Sequence, residues 1–215
     1  KRYNGIESTY LIKLNQDGSI DTSFTSYFGE IALSVLNNIY DILIQDDGKV
    51  LLVGRRSSSS TTYQNILRYS GVEFKGILRL NQNGTIDTTF NYGNGIESGT
   101  TSDCSLESIV QQSDGKILVS TQNATRYKGL LVERSVFRIL QNGDLDLSFQ
   151  FPYAAYGGKL FLDSNEKIFV SVFHYNSIKR YNNNGSLDAT FPNINAYLIG
   201  IQSDGKIMVL EGSNN

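Results

Sequence analysis

The sequence predicts an all-β fold made of about four repeats of one four-stranded antiparallel unit. Three observations carry this expectation. Two turn-bearing strings alternate along the chain, four copies of each; short β-like runs flank every turn; and no segment shows a helical period.

The composition agrees with one folded all-β domain. The 215 residues suffice for a single large one, and 40% hydrophobic with 19% charged residues is globular in balance. Thirteen Tyr and eleven Phe favour pleated, half-buried surfaces, and twenty Gly with only two Pro suit many short turns. A formal net charge of −2, with Lys and Arg spread along the chain, lacks the basic stripe that nucleic-acid binding needs. Cys104 is the single cysteine, which excludes an internal disulfide framework and a Cys-based zinc site. No apolar run approaches the roughly 20 residues that span a bilayer, so no membrane insertion is expected.

The first string runs from Asn15 to Phe24 (NQDGSIDTSF) and recurs at Asn81 to Phe90, Leu140 to Phe149 and Asn182 to Phe191. Each copy sets Asp-Gly or Asn-Gly between two β-like runs, the strongest short hairpin signal, and tolerates the positive φ angles of a type I′ turn. The glycines are Gly18, Gly84, Gly143 and Gly185. The preceding strands carry a cation at one register: Lys13, Arg79, Arg138 and Arg180.

The second string begins at Gln45 (QDDGKVLLV) and returns at Gln112, Asp163 and Gln202, with turn glycines Gly48, Gly115 and Gly205. Near-continuous apolar runs after each Lys predict strands buried on both faces. A third, weaker element lies between the two strings: Arg2-Tyr3-Asn4-Gly5, Arg68-Tyr69-Ser70-Gly71 and Arg126-Tyr127-Lys128-Gly129, with His174-Tyr175-Asn176-Ser177 as an eroded copy. The period shrinks from roughly 65 residues to roughly 40 through loss of loop residues, so strands define the unit. Four short strands per unit is the content of one β-propeller blade, which needs stacked neighbours to bury its faces.

These strings resemble the delta-60 repeat β-propeller family of bacterial proteins, which alternates Q-x-D-G-K-I-L-V with L-N-x-D-G-S-L-D-x-S-F, often with S-Y-N-G between. The resemblance covers nearly the whole chain. The third copy departs from it at Asn165-Glu166, where the family has Asp-Gly, so an altered hairpin is expected there. The resemblance implies a place in large secreted or surface proteins, or in virions, and no shared catalytic activity follows from it.

The chain begins at Lys1 inside a repeat, without an initiator Met, and its last repeat strand ends at Leu210. It therefore reads as a piece of a longer polypeptide or a processed product. Residues 1–35 and 195–215 would together complete one composite blade beside blades at 36–100, 101–155 and 156–194. That arrangement closes a four-bladed ring and protects the edge strands; an arc of a larger propeller is the rival.

Candidate chemistry is sparse. If Gly18 were the sixth residue of an EF-hand loop, Lys13 and Phe24 would take the first and twelfth ligand positions, so that calcium site fails, and no metal or cofactor is expected. The recurring Asp21, Asp87, Asp146 and Asp188 read as caps of local backbone N–H groups, and Phe24, Phe90, Phe149 and Phe191 as packing between units. His174 is the lone histidine and no G-x-S-x-G motif is present, so no enzyme is expected; a glycan-active enzyme is the weaker alternative.

Binding through loops on a rigid scaffold is the expected function. The longest insertion carries Arg55, Arg56 and Tyr63, residue types common as interface anchors, and a second loop from Asn91 to Ser105 reads as a spacer. Arg68, Tyr69, Arg126, Tyr127, His174 and Tyr175 either line one rim or hold the long loops down. The expected partner is a surface glycan or protein, or neighbouring subunits if the chain is a structural spacer, in an extracellular, cell-surface or virion setting.

Overall fold

The computed structural model describes residues 2–7, 11–26, 39–56, 68–98, 104–132, 135–152, 157–172 and 175–211, and every strand pairing in it is antiparallel. The first unit contributes β1 (Arg2–Tyr3), β2 (Ile6–Glu7) and an isolated bridge from Leu14 to Ile20. The second holds β3 (Ile39–Ile44), β4 (Val50–Arg56), β5 (Arg68–Tyr69), β6 (Val72–Glu73) and β7 (Ile77–Leu80). β8 (Ile96–Glu97) closes the second unit. The third holds β9 (Cys104–Gln111), β10 (Ile117–Gln122), β11 (Arg126–Tyr127), β12 (Leu130–Leu131) and β13 (Val136–Ile139), and its β11 pairs with β8. Then come β14 (Lys159–Leu162), β15 (Ile168–Val172) and β16 (Ser177–Tyr181), followed by β17 (Tyr197–Ile201) and β18 (Ile207–Leu210).

One pattern repeats. β3, β4 and β7 form a meander, as do β9, β10, β13 and β14, β15, β16. A bridge adds a fourth, minimal strand to each: Leu80 to Ile86, Ile139 to Leu145, Tyr181 to Leu187. β17 and β18 form a two-stranded sheet, and among the described residues no third strand joins β18. Beyond their meanders, β4 and β9 pair at Arg55 with Ser105 and Arg56 with Cys104, stitching two units into one six-stranded sheet.

The middle strands β4, β10 and β15 are buried on both faces, as their unbroken apolar runs predict. The same run in β18 predicts the same burial, but Met208, Val209 and Leu210 are exposed because no third strand of the described residues covers it. Along the buried strands side-chain alternation decides which neighbour each residue meets. Leu52 packs toward the first unit with Phe24 and Leu80, whereas Leu51 and Val53 pack toward the third with Leu106, Val119 and Ile139. Leu118 in turn faces Ile168 and Val170 of the following unit, and Phe169 faces Leu198 beyond it. Each of the four cores therefore lies between successive units, and none lies within a single one.

The turns differ from the type I′ expectation. In Asn15 to Ser19 the Gly18 amide donates to Asn15 O at 3.0 Å, the Asn15 amide donates to Ser19 O at 2.9 Å, and only Gly18 has positive φ. This is a three-residue loop closed by a left-handed glycine, a G1 bulge. Asp or Asn precedes that glycine because its carboxylate or amide oxygen accepts the backbone N–H two residues on: Asp17 from Ser19, Asn83 from Thr85, Asp114 from Lys116. Type I′ geometry occurs instead in the Arg-Tyr elements, where Asn4 and Gly5, Ser70 and Gly71, and Lys128 and Gly129 all have positive φ. The Asp163 to Lys167 hairpin, expected to be altered, is retained. Glu166 takes the left-handed position at φ 61°, and its amide donates to Asp163 O at 3.0 Å.

Candidate functional site

The recurring cation and the recurring aspartate, eight residues apart, are partners. Arg79 Nε donates to Asp87 Oδ2 at 2.8 Å, Arg138 to Asp146 at 2.8 Å and Arg180 to Asp188 at 2.9 Å, while Lys13 lies 3.0 Å from Asp21. The other carboxylate oxygen caps the turn: Asp87 Oδ1 accepts the Thr89 amide at 3.0 Å and its hydroxyl at 2.6 Å. The guanidinium lies over the phenyl ring that ends the string, 4.3 Å from the Phe90 centroid, 4.7 Å from Phe149 and 4.6 Å from Phe191. It also reaches the next unit, Arg79 donating to Gln141 O at 2.8 Å and Arg138 to Asn183 O at 3.0 Å. Burial by itself would raise the Asp87 carboxyl; the Thr89 hydroxyl and amide, Arg79 and Lys49 overcome it and hold it at about 2. Hydrogen bonds from Ser23 and Lys13 lower Asp21 to about 2 as well.

The other sequence candidates divide by exposure. Tyr69 and Tyr127 have no accessible surface, and their hydroxyls donate to Gly84 O at 2.5 Å and Gly143 O at 2.9 Å. These two rings pin the Arg-Tyr hairpin onto the following turn and present nothing to a ligand. Arg68 and Arg126 donate to the carbonyls of Gly71 and Gly129 within the same hairpins. Tyr175, in the eroded copy, is 57% exposed, and Arg55 is exposed near the end of β4. Arg56 closes β4; Tyr63 and His174 lie outside the described residues.

One cluster has no counterpart among the sequence motifs. Asp41 Oδ2 accepts the Ser108 hydroxyl at 3.0 Å, the Ile109 amide at 3.1 Å and Lys159 Nζ at 2.8 Å. These residues each stand four positions before Gln45, Gln112 and Asp163, so they are equivalent positions on the first strands of three successive units. Ser108 is fully buried, and its oxygen also accepts the Leu160 amide at 3.1 Å, which commits the hydroxyl to joining strands.

Two depressions border the Gln45–Lys49 turn. A polar cleft of about 410 Å³ lies between it and the Gln111–Gly115 turn, with Asp46, Asp47, Lys49, Arg79 and Asp114 among its lining. An apolar groove of about 630 Å³ runs between residues 11–14 and β3, lined by Leu11, Leu14, Phe24, Ile42, Ile44 and Val50; Asp46 and Asp47 form the lip common to both. Gln45 is 8% exposed, lines the polar cleft, and has no donor to its Oε1.

The family model described as Domain of unknown function (DUF5122) beta-propeller matches residues 1–24, 66–90 and 170–191. All three segments end on a phenyl ring of the latch, Phe24, Phe90 or Phe191, so the match falls on the half-repeat that runs from strand to turn to ring. The chain is thus similar to a β-propeller repeat family, and its all-β antiparallel structure agrees. No curated protein matches the sequence significantly. A similar solved structure is the extracellular domain of a proposed one-component system from B. thetaiotaomicron, at 14% identity and a TM-score of 0.41. The alignment covers 75% of this chain and 16% of that one. A catalytically inactive virginiamycin B lyase from Staphylococcus aureus with quinupristin aligns at 13% identity and a TM-score of 0.39, over 83% of this chain and 71% of the lyase.

Proposed function

We propose that this chain is a non-catalytic β-propeller binding module of a larger secreted, cell-surface or virion protein, which recognises a surface glycan or protein through the turns and loops of its units. The open polar cleft beside the Gln45–Lys49 turn carries this reading. The recurring charges and the two buried tyrosines are committed to holding turns and units in place, whereas this cleft presents the exposed carboxylate of Asp46, which no ion pair or hydrogen bond engages among the described residues. A glycan array together with direct binding to purified surface proteins tests it, comparing the intact chain with one lacking residues 57–63. Binding in either assay supports the module; silence in both with an intact fold overturns it.

We further propose that the ring closes with four blades, at 36–100, 101–155, 156–194 and a composite of 1–35 with 195–215. The register is supplied by the units that already possess a third strand. Leu51 pairs with Arg79 and Leu118 with Arg138, which sets Met208 opposite Lys13 and Val209 opposite Ile12. Ile12→Cys combined with Val209→Cys forms an intramolecular disulfide if this register is right, and stays reduced in the monomer if it is wrong.

The exposed side chains of Ile199, Met208 and Leu210 favour a second reading, a spacer or assembly element whose terminal sheet meets a neighbouring subunit. In that case Met208→Lys abolishes assembly while glycan and protein binding stay silent. A polysaccharide-degrading activity is the third reading, and release of reducing sugar from a glycan panel would establish it.

A further inference from the structure

We infer that the apolar groove between residues 11–14 and β3 receives the β17–β18 sheet of a second copy of this chain, each copy filling the other's groove in a closed dimer. This rests on the assembly reading above and names both the neighbouring subunit and the surface it meets. Ring closure within one chain joins the same two surfaces, so the two pairings compete, and the exchanged one gains as concentration rises.

The repeat itself shows what such a groove holds. Its floor includes Ile42 and Val50, three residues before and five after Gln45, the first residue of the turn. The same places in the next two units are Ile109 with Ile117 and Leu160 with Ile168, all buried. What buries them is the middle strand of the preceding unit: Leu51 and Val53 share the first core, Leu118 the second. Leu51 and Leu118 stand six residues after the start of their turns, and Val53 eight. At those places after Gln202 stand Met208 and Leu210, 52% and 56% exposed, while Ile42 is 47% exposed. One chain thus presents both an uncovered floor and the kind of apolar strand that covers such floors.

Strand order and charge agree with this fit. Each complete unit flanks its middle strand on both sides: β4 by β3 and β7, β10 by β9 and β13, β15 by β14 and β16. β18 pairs with β17 alone among the described residues, and residues 11–14, the counterparts of β7, border the groove. Laying β18 of a second copy along them restores the order of a complete unit. In two complete units the lysine that ends the second-string turn also meets the aspartate of the first string, Lys49 lying 3.2 Å from Asp87 and Lys167 3.0 Å from Asp188. The remaining counterparts are Asp21, on the receiving copy, and Lys206, exposed in the turn of the incoming hairpin. That hairpin is already paired from Tyr197 with Leu210 to Ile201 with Ile207, so the exchange moves a preformed element.

Mixing an Ile12→Cys chain with a Val209→Cys chain under mild oxidation tests the inference, since the register shared by the complete units sets these positions opposite each other. A covalent heterodimer is expected, with no cross-link from either variant alone, because the one native cysteine, Cys104, is buried. Sedimentation of the intact chain is expected to show a dimer fraction that rises with concentration. Adding Ile42→Lys to the receiving chain, or Met208→Lys to the incoming one, is expected to lower the heterodimer yield about tenfold or more. Both positions are exposed, and either variant reports should the other fold poorly.

A disulfide within the Ile12→Cys, Val209→Cys double variant, with no heterodimer from the mixture at any concentration, overturns the exchange and leaves ring closure standing. A heterodimer whose yield neither lysine variant lowers overturns the groove as its seat. An intact chain that stays monomeric and unlinked, while Met208→Lys still disrupts assembly with another subunit, makes the neighbour a different protein and leaves the assembly reading without this inference. A monomer with no disulfide in any combination and no assembly that depends on Met208 removes both.

Discussion

Arg79 shows how much a single repeated side chain does. It neutralises Asp87, covers the Phe90 ring and donates to a carbonyl 62 residues away in the next unit, with both charged groups almost fully buried. Arg79→Met strands the Asp87 charge beside Lys49 alone and is expected to lower stability by about 3 kcal/mol in urea unfolding. Lys13→Met removes the equivalent pair where the lysine side chain is 51% exposed and solvent screens the charges, so its expected loss is far smaller than that of Arg79→Met. The glycines make a second comparison. Gly18 and Gly84 share φ near +80°, but a methyl on Gly18 meets nothing, whereas one on Gly84 would strike the Thr25 carbonyl of the preceding unit. Gly18→Ala is expected to cost about 1 kcal/mol for its left-handed backbone alone, and Gly84→Ala distinctly more. Equal effects in the same unfolding assay would remove the close approach as the reason for glycine at position 84.

At the scale of the element, the short Arg-Tyr hairpin matters through one phenol. Tyr127→Phe keeps the ring in its core beside Phe137 but deprives the buried Gly143 carbonyl of its donor, an expected loss of about 1–2 kcal/mol. Tyr175→Phe, with its exposed ring, is expected to change little, and thermal unfolding of the two variants separates the cases. These hairpins also mark what the sequence made legible. The strands and the four-fold recurrence were readable because alternation and Gly-bearing turns are local signals. The turn class was not, since Asp-Gly suits a type I′ loop and a G1 bulge equally until the register of the flanking strands chooses. The recurring cations and acids were visible, yet their pairing waited on the turn that folds Asp87 back onto Arg79. The Asp41, Ser108 and Lys159 cluster gave no signal at all, because three different residue types at one repeat position look like noise and bond only across units. The turn lining the polar cleft reads as a hairpin in the sequence, but the unpaired Oε1 of Gln45 is a property of its surroundings, to which sequence is silent.

Over the whole molecule the aspartate latches set an acid limit. Asp21 and Asp87 are held at about 2, and Asp146 and Asp188 are also lowered, against an ordinary value of 3.8. Between pH about 4 and about 2 the unfolded chain takes up protons that the folded chain refuses, so stability rises with pH in that window. The contribution is complete above about pH 5 and is lost as pH falls toward 2. Urea midpoints measured from pH 7 to pH 2.5 should hold nearly level to about pH 5 and then drop. A midpoint unchanged at pH 2.5 would mean that these carboxylates are no better stabilised in the fold than in the open chain.

The latch has a direction. Arg79 bonds forward to Gln141, Arg138 forward to Asn183, and the Thr25 amide forward to Asn83 O, each unit reaching toward the C-terminus. On a ribosome, which releases the N-terminus first, the newest unit therefore has its arginine in place before the carbonyl it must meet has been synthesised. The units that carry Arg79 and Arg138 are thus finished by their successors, and a nascent chain paused just after either would carry one unlatched arginine and one half-covered core at its growing end.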